Sequence, residues 1–116
     1  MLLYKDMLPT KQQRKKLCLT CPIAKTADLV GDSVTLLILR DLLKGSHRFN
    51  ELHLALKGTS TRTLTNKLQY LVEIGLVTRK EYIEKPPRVE YALTTKGKGL
   101  RSLIKSMEKY GEEYLS

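Results

Sequence analysis

The chain has 116 residues, 41% of them apolar, which suits one domain with a modest core. It is rich in Leu, with no Trp and one Phe, a composition that favours helices over a β-sandwich. The formal net charge of +9 points to a polyanionic partner, with nucleic acid ahead of an anionic membrane. No apolar run reaches transmembrane length, and Lys5, Asp6 and Pro9 interrupt the apolar start, so neither a membrane span nor a signal peptide is expected. The basic amphipathic helix of a membrane-surface binder is missing too. The expected location is the cytoplasm, in association with the nucleoid.

Residues 1–20 carry five basic residues and one acidic one, including Lys11, Arg14, Lys15 and Lys16. They read as a basic arm or helix, either solvated or lying on phosphates. Cys18 and Cys21 form one Cys-x-x-Cys pair. A zinc site needs four ligands, and neither His47 nor His53 stands at a useful spacing, so no metal is expected. Pro22 favours the first turn of a helix. Cys21 then lies at a helix N-terminus, where the dipole and free N–H groups favour a thiolate. Its alternatives are a reactive thiol and a small buried hydrophobe.

A short helix is expected from Pro22 to Val30, closed by Gly31. A second runs from Asp32 or Ser33 to Lys44. Val34, Leu36, Leu37, Ile38, Leu39, Leu42 and Leu43 surround nearly all of it, so it reads as the central buried helix, with Arg40 and Asp41 reaching its edges. Ser46 to Phe49 reads as an extended link. Asn50 is placed to cap a helix over Glu51 to Leu56, with Leu52, Ala55 and Leu56 inward.

The stretch from Ser60 to Gly75 reads as an amphipathic helix. Ser60 caps it, Gly75 supplies its left-handed end, and Leu64, Leu68, Leu71 and Val72 form its buried stripe. Arg62, Asn66 and Gln69 lie opposite, flanked by Thr63, Thr65 and Tyr70. Asn and Gln make bidentate contacts to adenine, and Arg to guanine. The plainer alternative is a solvated polar face. Two helices joined through Lys57-Gly58-Thr59, the second with such a face, form a helix-turn-helix.

After Gly75 the period changes. Leu76 to Glu84 and Arg88 to Leu93 read as a hairpin with Lys85-Pro86-Pro87 at its tip. The hairpin is expected to pack through Val77, Ile83, Val89, Tyr91 and Leu93. Arg79, Lys80, Lys85 and Arg88 make it a basic wing, although Lys and Pro on an edge strand also guard against unwanted pairing. Thr94 is placed to cap a last helix. Its stripe, Leu100, Leu103, Ile104, Met107, Gly111 and Tyr114, with Tyr110 beside it, is a candidate dimer surface.

The expected fold is therefore mainly α with a small β-hairpin wing, a winged helix-turn-helix of order α-α-(β)-α-α-β-β-α. The arm covers 1–20, the DNA-binding domain 21–99 (helix-turn-helix 50–75, wing 76–93) and the dimerisation helix 100–116. Four segments resemble the HxlR family of transcriptional regulators, relatives of the MarR group. They are Cys21-Pro22 at a helix start; LLILRDLLKG from Leu36; RFNEL from Arg48 with STRTLTNKLQYLVEIGLVTR from Ser60; and PPRVEYALTTKGKGL from Pro86. The resemblance implies a small dimeric DNA-binding regulator, repression being the commoner mode. In some members the Cys matching Cys21 senses electrophiles or oxidants. The chain departs from the family at Asp32-Ser33-Val34, where a basic residue and Trp are usual, and in its additional Cys18, a candidate resolving thiol.

On this reading two copies place their Ser60 helices in successive major grooves of a near-palindromic operator in double-stranded DNA. Ser60, Thr61 and Thr63 meet phosphates, Arg62, Asn66 and Gln69 read bases, and Arg48, Lys67, Arg79, Lys85 and Arg88 hold the backbone, Lys85 and Arg88 at or in the minor groove. A non-specific architectural nucleic-acid binder and a protein-interaction module are the alternatives. With no Gly-rich phosphate loop, paired carboxylates or placed Cys–His pair, no enzyme and no cofactor are expected.

Overall fold

The computed structural model describes residues 21–116. The basic arm expected over 1–20, with Cys18, lies outside the described residues. The chain divides into two compact units, one ending at Ser33 and the other spanning Val34–Ser116.

The described part of the first unit is helix α1 (Pro22–Leu29). Pro22 starts it because a fixed φ suits the first turn and the missing N–H has no helical partner there in any case. Cys21 precedes it in extended conformation, with φ −125° and ψ 119°. The Thr26 hydroxyl donates to the Pro22 carbonyl at 2.9 Å.

Helix α2 (Ser33–Leu42) is the core helix, but it is not buried all round. Ile38, Leu39 and Leu42 are buried with Thr35, whereas Leu36 is half-buried and Leu37 exposed. A run of leucines carries no period, so the sequence could not show which of them face water. Asp41, expected at the edge, is 5% exposed. It is tolerated there because Arg40 Nε lies 3.1 Å and Lys44 Nζ 4.0 Å from its carboxylate.

The extended link expected over Ser46 to Phe49 contains strand β1 (His47–Arg48). Helix α3 (Phe49–Ala55) follows immediately. The Arg48 N–H donates to the Glu51 carboxylate at 2.8 Å, so the helix begins ahead of the expected Asn50 cap. Leu52 and Leu56 point inward as expected, but Ala55 is exposed. Gly58, with φ +90°, turns the chain into helix α4 (Thr61–Glu73). Leu64, Leu68 and Leu71 are its buried stripe, and Val72 is half-buried.

Strands β2 (Val77–Tyr82) and β3 (Arg88–Leu93) pair antiparallel from Val77↔Leu93 to Tyr82↔Arg88. Strand β1 adds to the far side of β3 through His47↔Tyr91 and Arg48↔Glu90, giving the order β1-β3-β2. The wing is thus two strands of a three-stranded sheet, not a lone hairpin. A two-residue strand is too short to leave a periodic signal. Val77 and Leu93 are buried, and Val89 and Tyr91 half-buried. Ile83, expected to help pack the hairpin, is fully exposed because it falls beyond the paired register of β2.

The expected single C-terminal helix is two: α5 (Thr95–Lys98) and α6 (Arg101–Tyr114). The Thr94 hydroxyl accepts from the Gly97 N–H at 3.1 Å and donates to the Gly75 carbonyl at 2.6 Å. Gly97 is buried where a Cβ would collide with the Leu76 carbonyl and press on Leu93. The end of α4, the start of β2, the end of β3 and the start of α5 therefore meet in one joint. This order of elements is a winged helix-turn-helix.

Candidate nucleic-acid interface

Helix α4 is fixed at both ends. Ser60 is extended, and its hydroxyl accepts from the Thr63 N–H at 3.1 Å while donating to the Thr63 hydroxyl at 3.0 Å. Ser60 is thus engaged in the cap with both its functions, and it occupies the Thr63 N–H, which leaves the N–H groups of Thr61 and Arg62 at the helix start outside the cap. In the preceding helix, the His53 ring donates to the Thr59 carbonyl at 3.1 Å and clips α3 to the turn. No local pattern marks His53 for this, because the contact spans six residues across a turn. At the other end Gly75 takes φ +80°, and the Lys96 ammonium donates to the Ile74 carbonyl at 3.3 Å. A cation there also suits the negative end of the helix dipole.

With its leucine stripe buried, α4 presents Arg62, Asn66 and Gln69 outward, all exposed. At 100° per residue these three lie within one sector opposite Leu64 and Leu68. Glu73 ends the same sector. Thr63 and Tyr70 lie on one flank and Thr65 on the other, all exposed. Lys67 is half-buried, on the side of the helix nearer the core. The side chains of Arg62, Asn66 and Gln69 make no hydrogen bond or ion pair with any described residue.

The wing cations are arranged differently. Residues directly opposite in register share a sheet face. Arg48, Glu90 and Lys80 therefore form one row across all three strands, with Arg88 and Tyr82 on the same face. Arg79 stands on the other face, opposite Tyr91. Its guanidinium lies 2.7 Å from Glu81, and that hydrogen bond, with a second to Tyr91, raises its pKa further above the ordinary arginine value. Arg88 lies 3.2 Å from Glu84 and 3.5 Å from Glu90, with its guanidinium 4.0 Å from the Tyr82 ring centroid. Lys85 is exposed at the tip. Lys80, which the sequence reading kept out of the site, shares the Arg48 face; only the register shows it.

On α6, Ile104 is buried, and Leu100, Leu103 and Gly111 are half-buried. Met107, Tyr110, Tyr114 and Leu115 are exposed, and the two tyrosine rings sit 4.9 Å apart. Cys21 is half-buried at the start of α1, and its carbonyl accepts from the Lys25 N–H at 2.9 Å. No group of three or more His, Cys, Asp or Glu among the described residues could hold a metal ion. None of the described helices is long and apolar enough to cross a membrane.

Residues 29–116 match the HxlR-like helix-turn-helix family. The chain is similar to the HTH-type transcriptional regulator sll1512 of Synechocystis, being 42% identical over 95 residues that make up 82% of this chain and 70% of that protein. Among solved structures it is similar to a MarR-family transcriptional regulator from Porphyromonas gingivalis, with TM-score 0.79 and 36% identity over 83% of this chain and 94% of that one. It is also similar to the redox regulator HypR. The oxidised form gives TM-score 0.78 and 32% identity over 83% of this chain and 99% of that one. The reduced form gives 0.76 and 33% over 79% and 91%.

Proposed function

The chain belongs to the HxlR-like helix-turn-helix family of transcriptional regulators, and from that premise we propose that it is a sequence-specific repressor binding a near-palindromic operator as a homodimer. The observation that carries this reading is the outward sector of α4. Arg62, Asn66 and Gln69 are exposed on a helix locked at both ends, and their side chains have no partners among the described residues that a base would have to displace. Thr61, with the N–H groups of Thr61 and Arg62, holds a phosphate, positioned by the Ser60 cap. Arg48 and Lys85 add backbone contacts, and Arg79, Arg88 and Lys67 act from more engaged positions. The exposed Met107, Tyr110 and Tyr114 of α6 supply the apolar face through which two copies pair.

Selection of bound sequences from a random duplex pool tests the reading. A site of two related half-sites about 10 bp apart, or a multiple of that, is the expected result. With about eight phosphates neutralised per dimer, log K should fall with log salt at a slope of about −7. Specific binding should exceed random binding by about 10³ or more, and equal affinity for random DNA and RNA would leave an architectural binder instead.

A thiol response is a second reading, favoured by the likeness to HypR and by Cys21 at the start of α1. Two thiols, Cys21 with Cys18 or with a thiol of a second copy, would join as a disulfide, giving two protons and two electrons to an added oxidant. Operator release on oxidation that survives Cys21→Ser would rule this out.

A further inference from the structure

The wing is a poor electrostatic clamp. Arg79, Lys80, Lys85 and Arg88 face Glu81, Glu84 and Glu90. Each of these carboxylates lies within 3.5 Å of an arginine. Lys80 and Arg88 also lean on the Tyr82 ring, at 5.0 and 4.0 Å from its centroid. The charge is drawn back along the strands, and the tip is of another character. Ile83 is as exposed as in an extended chain, Pro86 and Pro87 are exposed, and Lys85 has no carboxylate partner among the described residues.

A single exposed isoleucine is ordinary on a protein surface. Three things set this one apart. It lies at the tip of a hairpin with two more apolar residues. Two prolines fix φ there, so seating the tip against a partner orders little new backbone. The free ammonium beside it selects an anionic surface. The distance also fits. Strand β2 has six residues and starts two positions after Gly75, a reach of about 20 Å along the strand from the end of α4. The centres of adjacent major and minor grooves are about 17 Å apart along a duplex, half of one helical turn.

We propose that Ile83 is a minor-groove wedge. With α4 in the major groove, the Ile83 side chain enters the neighbouring minor groove, Lys85 meets a flanking phosphate, and one base step is partly unstacked. Apolar insertion of this kind bends a duplex, and it costs least at flexible pyrimidine–purine steps. Ile83 then contributes specificity at positions that Arg62, Asn66 and Gln69 do not touch. The inference rests on the DNA-reading function proposed above.

The test uses the full chain and a duplex carrying the selected site, with 2-aminopurine moved through its flanks and dyes on its ends. Wild-type protein should raise 2-aminopurine fluorescence at one flanking step per half-site and shorten the end-to-end distance. Ile83→Ala should lose both signals and bind about tenfold more weakly. It should keep the salt slope and the melting temperature, since the side chain bears no charge and touches nothing in the fold. Ile83→Leu should restore both signals. Lys85→Ala should lower the salt slope by about 1 and keep the fluorescence change. A flat fluorescence profile with wild-type protein overturns the wedge, as does Ile83→Ala binding and bending like wild type, the outcome expected if the tip serves a protein partner. Wild-type protein that binds no duplex in a salt-dependent way would instead remove the DNA-reading function beneath it.

Discussion

The two elements proposed to meet a duplex, helix α4 and the β2–β3 wing, come from adjacent stretches of chain and solve opposite problems. The helix leaves its proposed readers unengaged. Ser60, Thr94 and Lys96 satisfy its ends, its leucines satisfy the core, and the side chains of Arg62, Asn66 and Gln69 have no partner among the described residues. The wing engages most of its cations with its own carboxylates and with Tyr82. Side chains that must form new directional bonds benefit from having none to break. A two-stranded extension with little core of its own needs cross-strand pairs to hold its shape. Positive charge counted along a sequence is therefore a poor guide to positive charge offered to DNA.

The largest effect should come from the helix's buried side. Leu68→Ala is expected to destabilise the protein by about 2–5 kcal/mol, since Leu68 is 1% exposed at the centre of the stripe. Chemical denaturation measures it, and a loss under 1 kcal/mol would mean that α4 is not seated as described. Gly97→Ala strikes the joint between helix and wing. A Cβ there meets the Leu76 backbone, so about 1–3 kcal/mol should be lost. If the joint aligns the two elements, affinity should drop for specific and random DNA together even where the variant is fully folded.

On the outer side, Asn66→Ala or Gln69→Ala should cost about 1–3 kcal/mol on the selected site and little on random duplex. Equal losses on both would remove base reading from α4. Ser60→Ala is expected to lower stability by about 1 kcal/mol, the usual size of an N-cap; an unchanged melting temperature would show that the Thr63 N–H finds another acceptor. The smallest effects separate the two faces of the wing. Lys85→Ala should reduce the salt slope by about 1. Arg79→Ala, which removes a cation paired with Glu81, should change it by far less and alter stability by at most about 1 kcal/mol. Equal slope changes for the two would show that pairing does not set which wing cations reach DNA.

Much of α4 was legible because its signals are local. A cap, a 3.6-residue stripe and a glycine at φ +80° each act within one or two turns, so Ser60, Leu64, Leu68, Leu71 and Gly75 announce themselves. The helix-turn-helix order and the hairpin followed from the same short-range rules, as did Thr94 as a cap. The resemblance to the HxlR family lies in the same segments.

Tertiary structure decided what depends on pairing across distance. Register alone placed Arg48 beside Glu90 and Lys80, and put Arg79 on the opposite face from Arg88. Packing alone buried Asp41 and exposed Leu37 within one leucine-rich run. Nothing in the residues next to Gly97 shows why it is glycine; the reason is the close approach of Leu76, 21 positions earlier in the chain. Local free-energy differences are written in neighbouring residues and can be read from them. A strand partner, a joint between elements or a paired charge depends on residues brought together only by the completed fold.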